Sequence, residues 1–218
     1  MGGVHNMLLG TSITAGKLTL KEVVFNASGT FTMPTNVVNN QVIVGCTGGG
    51  AGCYGDAENI ASGGGSGRVS TTLTLSAGST CSVIVGAGGF AGTSNTGGTS
   101  SFAGTCICGG GTVTAGVSGG GNGSKSGGGG SSSCPAILTL ASGASDSTTK
   151  LYTAKSYAGG AGNGGLYAGG GAGCYGDGAN GWAMTQPSAN TGGGGYSTQF
   201  RGSAGGSGKV VVYYYVYE

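Results

Sequence analysis

The 218-residue chain carries 56 glycines, three prolines, eight Lys or Arg and six Asp or Glu, for a formal net charge of +2. Glycine stands far above the roughly 7% of an average protein, yet it keeps no period of three, which excludes collagen. Sparse charge without a basic run argues against nucleic acid as a partner, and no apolar stretch is long enough to span a bilayer as a helix.

In chain order, residues 1–24 read as an attachment segment. Its start, MGGVHNMLLG, lacks the positive region and long apolar run of a secretory signal. Cytoplasmic synthesis is therefore expected, and with it reduced thiols for the seven cysteines. Alternating apolar and β-branched residues then predict strands near 17–33, 41–46, 68–76, 80–86 and 209–217, with shorter extended pieces near 100–108 and 136–141. The turn Ser76 to Gly78 is expected to close a hairpin that returns Leu73 and Leu75 toward Val83 and Val85. Helical periodicity is absent, so the chain is all-β. In the last run Val210, Val212, Tyr214 and Val216 share one face, and Val211, Tyr213, Tyr215 and Tyr217 the other. A strand apolar on both sides belongs in the middle of a sheet, covered on both faces.

Several motifs invite a chemistry and then fail. Gly86 to Ala91, GAGGFA, spells a dinucleotide fingerprint, but no helix follows and no Asp or Glu occurs between Glu58 and Asp146. Gly205 to Lys209, GGSGK, has Ser203 where a phosphate loop needs its first glycine, and Val210 where it needs Ser or Thr. Cys106 and Cys108 would need a second pair to hold zinc, and the only histidine is His5. Neither an enzyme nor a bound cofactor or metal is expected.

The nonapeptide GGGAGCYGD occurs at Gly48 to Asp56 and again at Gly169 to Asp177. Glycine loses about 0.5–1 kcal/mol more than alanine on ordering, so tracts of this length need a compensating structure. Extended three-fold polyglycine helices point their N–H and C=O groups outward, and several can pack side by side and bond to one another. The repeat then reads as one rod used twice, with each Tyr lying over a rod and each Cys and Asp fixing a rod end.

Gly29 to Val37 (GTFTMPTNV), Gln41 to Gly52, Ser76 to Gly89, Gly97 to Phe102 and Gly205 to Tyr213 together resemble the glycine-rich domain at the distal end of bacteriophage tail fibres. They also resemble the glycine-rich extracellular domain of certain receptor tyrosine kinases. The likeness covers residues 29–111 and 158–218, and residues 112–158 read as an inserted Gly/Ser-rich segment of a domain spanning 25–218. It implies a β-sandwich, jelly-roll or tumour-necrosis-factor-like, with packed polyglycine II helices. It further implies a non-enzymatic virion protein whose loops bind a host surface protein or glycan, in a homo-oligomer expected to be a trimer. The segment 1–24 would dock to a neighbouring virion or fibre protein. Aromatic residues stranded among glycines are the receptor-binding candidates: Tyr54, Tyr167, Tyr175, Trp182 and Tyr196, with Gln186, Asp56 and Asp177 as polar partners. The competing expectation is a self-assembling capsid decoration or fibre subunit with no receptor of its own; ice binding through a flat rod surface ranks behind both.

Overall fold

The computed structural model describes residues 17–55, 61–92, 96–115, 132–133, 137–138, 150–152, 156–157, 167–198 and 200–218. Most of the expected attachment segment, Asp56, Cys134 and nearly all of the Gly/Ser run from Gly119 lie outside them.

The strands are β1 (Leu18–Phe25), β2 (Gly29–Thr32), β3 (Gln41–Thr47), β4 (Ala61–Gly63), β5 (Arg68–Thr74), β6 (Thr80–Ile84), β7 (Ser100–Phe102), β8 (Cys106–Cys108) and β9 (Val113–Ala115). They continue with β10 (Ser132–Ser133), β11 (Ile137–Leu138), β12 (Lys150–Tyr152), β13 (Ser156–Tyr157), β14 (Tyr167–Ala168), β15 (Ser197–Thr198) and β16 (Lys209–Tyr217). Two four-stranded antiparallel sheets, ordered β1-β16-β3-β5 and β2-β6-β7-β8, pack face to face as a β-sandwich. The chain is all-β, as its periodicity predicts.

β16 is central, bonded to β1 on one side and β3 on the other. Its Val210, Val212 and Val216 enter the core with Val42, Val44 and Cys46 of β3, meeting Phe31, Val83, Phe102, Cys106 and Cys108 from the second sheet. Phe31 and Phe102 pack in a tilted pair, with ring centroids 5.6 Å apart. Each fully buried valine contributes about 1.5–3 kcal/mol relative to exposure.

The turn at Ser76 to Gly78 is present, with Ser79 N donating to Ser76 O at 3.0 Å and Gly78 at φ 74°. It does not close a hairpin. β5 pairs with β3, and β6 with β2 and β7, so the turn carries the chain from one sheet to the other. Leu73 and Val83 both face the core, but from opposite walls; apolar alternation records which face is buried, not which sheet a strand joins.

The glycine segments stand beyond the ends of the strands as a bundle of rods. Gly49, Gly50 and Ala51 show the arrangement, because each of their six backbone groups goes to a different neighbour. Gly49 N donates to Gly98 O at 2.9 Å, Gly50 N to Gly206 O at 2.8 Å and Ala51 N to Gly64 O at 2.9 Å. Their carbonyls accept from Gly111 N at 2.8 Å, Gly89 N at 2.8 Å and Gly195 N at 2.9 Å, respectively. This is a central rod within a ring of six, with every buried backbone group satisfied as it must be away from water. Such spacing leaves no room for side chains: a Cβ on Gly50 would lie 2.0 Å from Gly193 O, and one on Gly49 2.0 Å from Ala87 O.

Candidate functional site

The two copies of the nonapeptide run in opposite directions. The first leaves β3 at Thr47 and travels away from the sandwich, so Cys53 and Tyr54 lie at its far end. There Cys53 N donates to Ser203 O at 3.1 Å and Gly92 N donates to Cys53 O at 3.2 Å. The second follows β14 as an outer rod, bonded through Gly171 to Gly63 and Gly194 and through Gly170 to Ala179. It returns toward the sandwich and reverses where Gly173 N donates to Gly176 O at 3.0 Å.

That reversal sets Tyr175 on the outer face of the first sheet, against Ile43, Val211 and Tyr213. Its ring lies beneath two cations, Lys209 Nζ at 4.5 Å from the centroid and the Arg68 guanidinium carbon at 5.8 Å. Burial raises the Tyr175 hydroxyl above its ordinary pKa, opposed by the nearby positive charge of Arg68. Desolvation, with Glu22 nearby, pushes Tyr213 up to about 12. Both phenols stay neutral at physiological pH and cover the sheet as apolar groups.

Two of the expected contact residues are tied into the fold itself. Tyr175 is a structural strut, and Tyr196 is only 8% exposed. Tyr196 N donates to Ser203 Oγ at 2.8 Å, and its carbonyl accepts the Cys53 thiol, so it is packed among the rods. Tyr54 is half-buried at the rod end. Tyr167 sits in β14 opposite Thr198; its side chain lies outside the described residues. The expectation of reduced thiols also needs correction, because Cys174 is disulfide-bonded. Cys46, Cys53, Cys81, Cys106 and Cys108 are free. Among the described residues, no three His, Cys, Asp or Glu side chains are placed to hold a metal ion.

Trp182 is 61% exposed in a loop that leaves the rods after Ala179. Ala179 N donates to Gly194 O at 3.0 Å, which sets that exit two residues from Tyr196, at the same far end. The loop is pinned by reciprocal bonds between Asn180 and Thr185, each N–H to the other's carbonyl at 3.1 Å, and by Ala183 N donating to Asn180 Oδ1 at 3.0 Å. Gln186 is exposed just beyond it.

Two more aromatic residues stand at this end, and sequence reasoning missed both. Phe90 is 73% exposed and its carbonyl abuts Gly52 of the central rod. Phe200 is 80% exposed at the tip of a turn in which Thr198 N donates to Arg201 O at 2.7 Å. The Thr198 hydroxyl accepts from Phe200 N and Arg201 N at 3.3 and 3.1 Å, fixing the turn. Phe90 is an aromatic stranded among glycines, the same signal that marks Trp182. The far end therefore carries Phe90, Tyr54, Phe200 and Trp182 on short turns anchored to a hydrogen-bonded lattice. Large apolar side chains held in water on rigid supports have the makings of a contact surface.

A model of the glycine-rich domain family matches residues 25–215. No curated protein matches the chain.

Proposed function

The chain belongs to the glycine-rich domain family, and from that premise we propose that it is a non-enzymatic bacteriophage virion protein, a tail-fibre tip or adhesin that binds a host-cell surface receptor. The observation that carries the reading is the set of exposed aromatic side chains, Phe90, Trp182 and Phe200, at the end of the rods farthest from the sandwich. The sandwich and rods serve as scaffold, and the turns between rods as the binding tip. Aromatic anchors lose little side-chain entropy on docking and supply much of the energy of a typical interface. A host surface protein or glycan is the proposed ligand, a homotrimer the proposed assembly, and the N-terminal segment the link to a neighbouring virion or fibre protein.

The test is adsorption of the purified chain to candidate host cells, with its mass measured by light scattering on the same sample. Trp182→Ala and Phe200→Ser are expected to reduce cell binding by roughly tenfold or more each, as loss of an interface anchor does, with unchanged mass and melting temperature. A chain that assembles with virion components and never adsorbs would overturn the adhesin reading. It would favour a capsid decoration or fibre subunit, a reading that draws on the exposed Leu20, Val24 and Tyr217 on the outer face of the first sheet.

A further inference from the structure

Three cysteines meet at the foot of the rods, where the two sheets close on each other. Cys46 lies near the end of β3, and Cys106 and Cys108 are the two ends of β8, a strand of the opposite sheet. Cys46 and Cys106 are both 0% exposed. β8 comes close enough to the first sheet for its thiols to reach main chain there. Cys106 Sγ donates to Val69 O at 3.6 Å, and Cys108 Sγ to Gly67 O at 3.2 Å. Cys46 Sγ donates in turn to Cys106 O at 3.3 Å. The neighbouring Cys106 side chain and burial hold the Cys46 thiol well above the ordinary thiol range.

A thiol held against the main chain of a second cysteine, on strands of opposite sheets, is the starting arrangement for a cross-link. A disulfide needs Cβ atoms about 3.5–4.5 Å apart and Cα atoms within about 7 Å. The Cys106 carbonyl already lies within hydrogen-bond reach of Cys46 Sγ, which brings the two residues together across the sheets.

We propose that Cys46 and Cys106 form an inter-sheet disulfide when the chain folds in the presence of a low-molecular-weight disulfide such as oxidised glutathione. One thiolate attacks the glutathione disulfide, releasing one reduced glutathione and leaving a mixed disulfide on the protein. The second thiolate attacks the protein sulfur of that mixed disulfide and expels the second glutathione. The two cysteines give up two protons and two electrons, and the electrons end on the two glutathione thiols. Because both sulfurs are fully buried in the native core, exchange occurs before the core closes, and the finished bond is sealed from reductant. The disulfide at Cys174 shows that this fold accommodates oxidised cysteine.

The experiment is to reduce and unfold the whole chain, refold it in oxidised or reduced glutathione, alkylate in denaturant and digest with trypsin. Cleavage after Lys21, Arg68 and Lys125 puts Cys46 with Cys53 on one peptide and Cys81, Cys106 and Cys108 on the next. Oxidative refolding is expected to give these two peptides linked, lighter by two hydrogens than their sum, with fragmentation assigning the link to Cys46 and Cys106. Cys108→Ala and Cys81→Ala should keep it, and Cys106→Ala should lose it. The oxidised wild type should also melt higher than the reduced one by a margin that Cys106→Ala lacks. Alkylated Cys46 and Cys106 in all folded wild-type protein, or a link through Cys108 or Cys53 in their place, would overturn the proposal. Should Cys106→Ala fail to fold, the wild-type peptide map decides alone.

Discussion

One methyl group separates tolerated from untolerated positions in the rods. At Gly50, in the central rod, an added Cβ meets Gly193 main chain at 2.0 and 2.4 Å, and neither neighbour can yield without moving a rod that is bonded to others. Gly67 has nothing within 4 Å of such a Cβ, and its φ lies outside the left-handed region. Gly50→Ala is expected to cost about 3 kcal/mol or more, since overpacking here also breaks inter-rod hydrogen bonds. Gly67→Ala should be neutral or stabilise by about 0.4–1 kcal/mol, because it restricts the unfolded chain at a site that already accepts alanine. Urea unfolding of the two variants against wild type measures both, and equal effects would contradict the packing described. The composition shows that rods exist, but Gly50 and Gly67 are the same letter in the same kind of tract. Which one is central depends on where β3 and β5 release and receive the chain, and that is a property of the tertiary fold.

At the scale of an element, identical sequence does different work in the two nonapeptides. Tyr54 stands half-buried at a far rod end, whereas Tyr175 is clamped beneath Lys209 and Arg68 and covers Ile43, Val211 and Tyr213. Tyr175→Ala uncovers that apolar face and removes two cation–ring contacts, and is expected to cost about 2–3 kcal/mol. Tyr54→Ala should cost less than about 1 kcal/mol, as substitutions at partly exposed positions usually do. Thermal unfolding of both variants provides the comparison, and equal losses would mean the copies are structurally equivalent after all. The bounds of β16 and the inward set Val210, Val212 and Val216 were legible from alternation, because burial on both faces leaves a continuous apolar run. The direction of the second copy was not, since it follows from the turn at Gly173 to Gly176 and from the sheet that Tyr175 meets. The same limit explains Tyr196: an aromatic among glycines can be exposed at a turn, as Phe200 is, or swallowed by the lattice.

For the whole molecule, the outer face of the first sheet divides into two parts. Near the rods it is closed by Tyr175. Along β1 and the end of β16, Leu20, Val24 and Tyr217 stand exposed on this face, Leu20 opposite Tyr215 and Val24 opposite Val211, with Glu22 between those two β1 residues. β1 is also a sheet edge with one side of its backbone free of strand pairing among the described residues, a combination that soluble proteins usually cover by association. The proposed trimer is expected to close over this face, far from the aromatic tip. Leu20→Lys with Tyr217→Lys should then lower the mass seen by light scattering from trimer to monomer while leaving the β-sheet circular dichroism unchanged. Phe90→Ser and Phe200→Ser should leave the mass untouched. Cell adsorption discriminates further, because three tips on one particle multiply a weak contact by about 10²–10⁴ when all can engage. The doubly substituted monomer should bind cells weakly through an intact tip, and fusing it to an unrelated trimerisation segment should restore binding. A monomeric wild type, or lost adsorption that trimerisation fails to restore, would separate assembly from recognition and remove this face from the account of how the molecule binds.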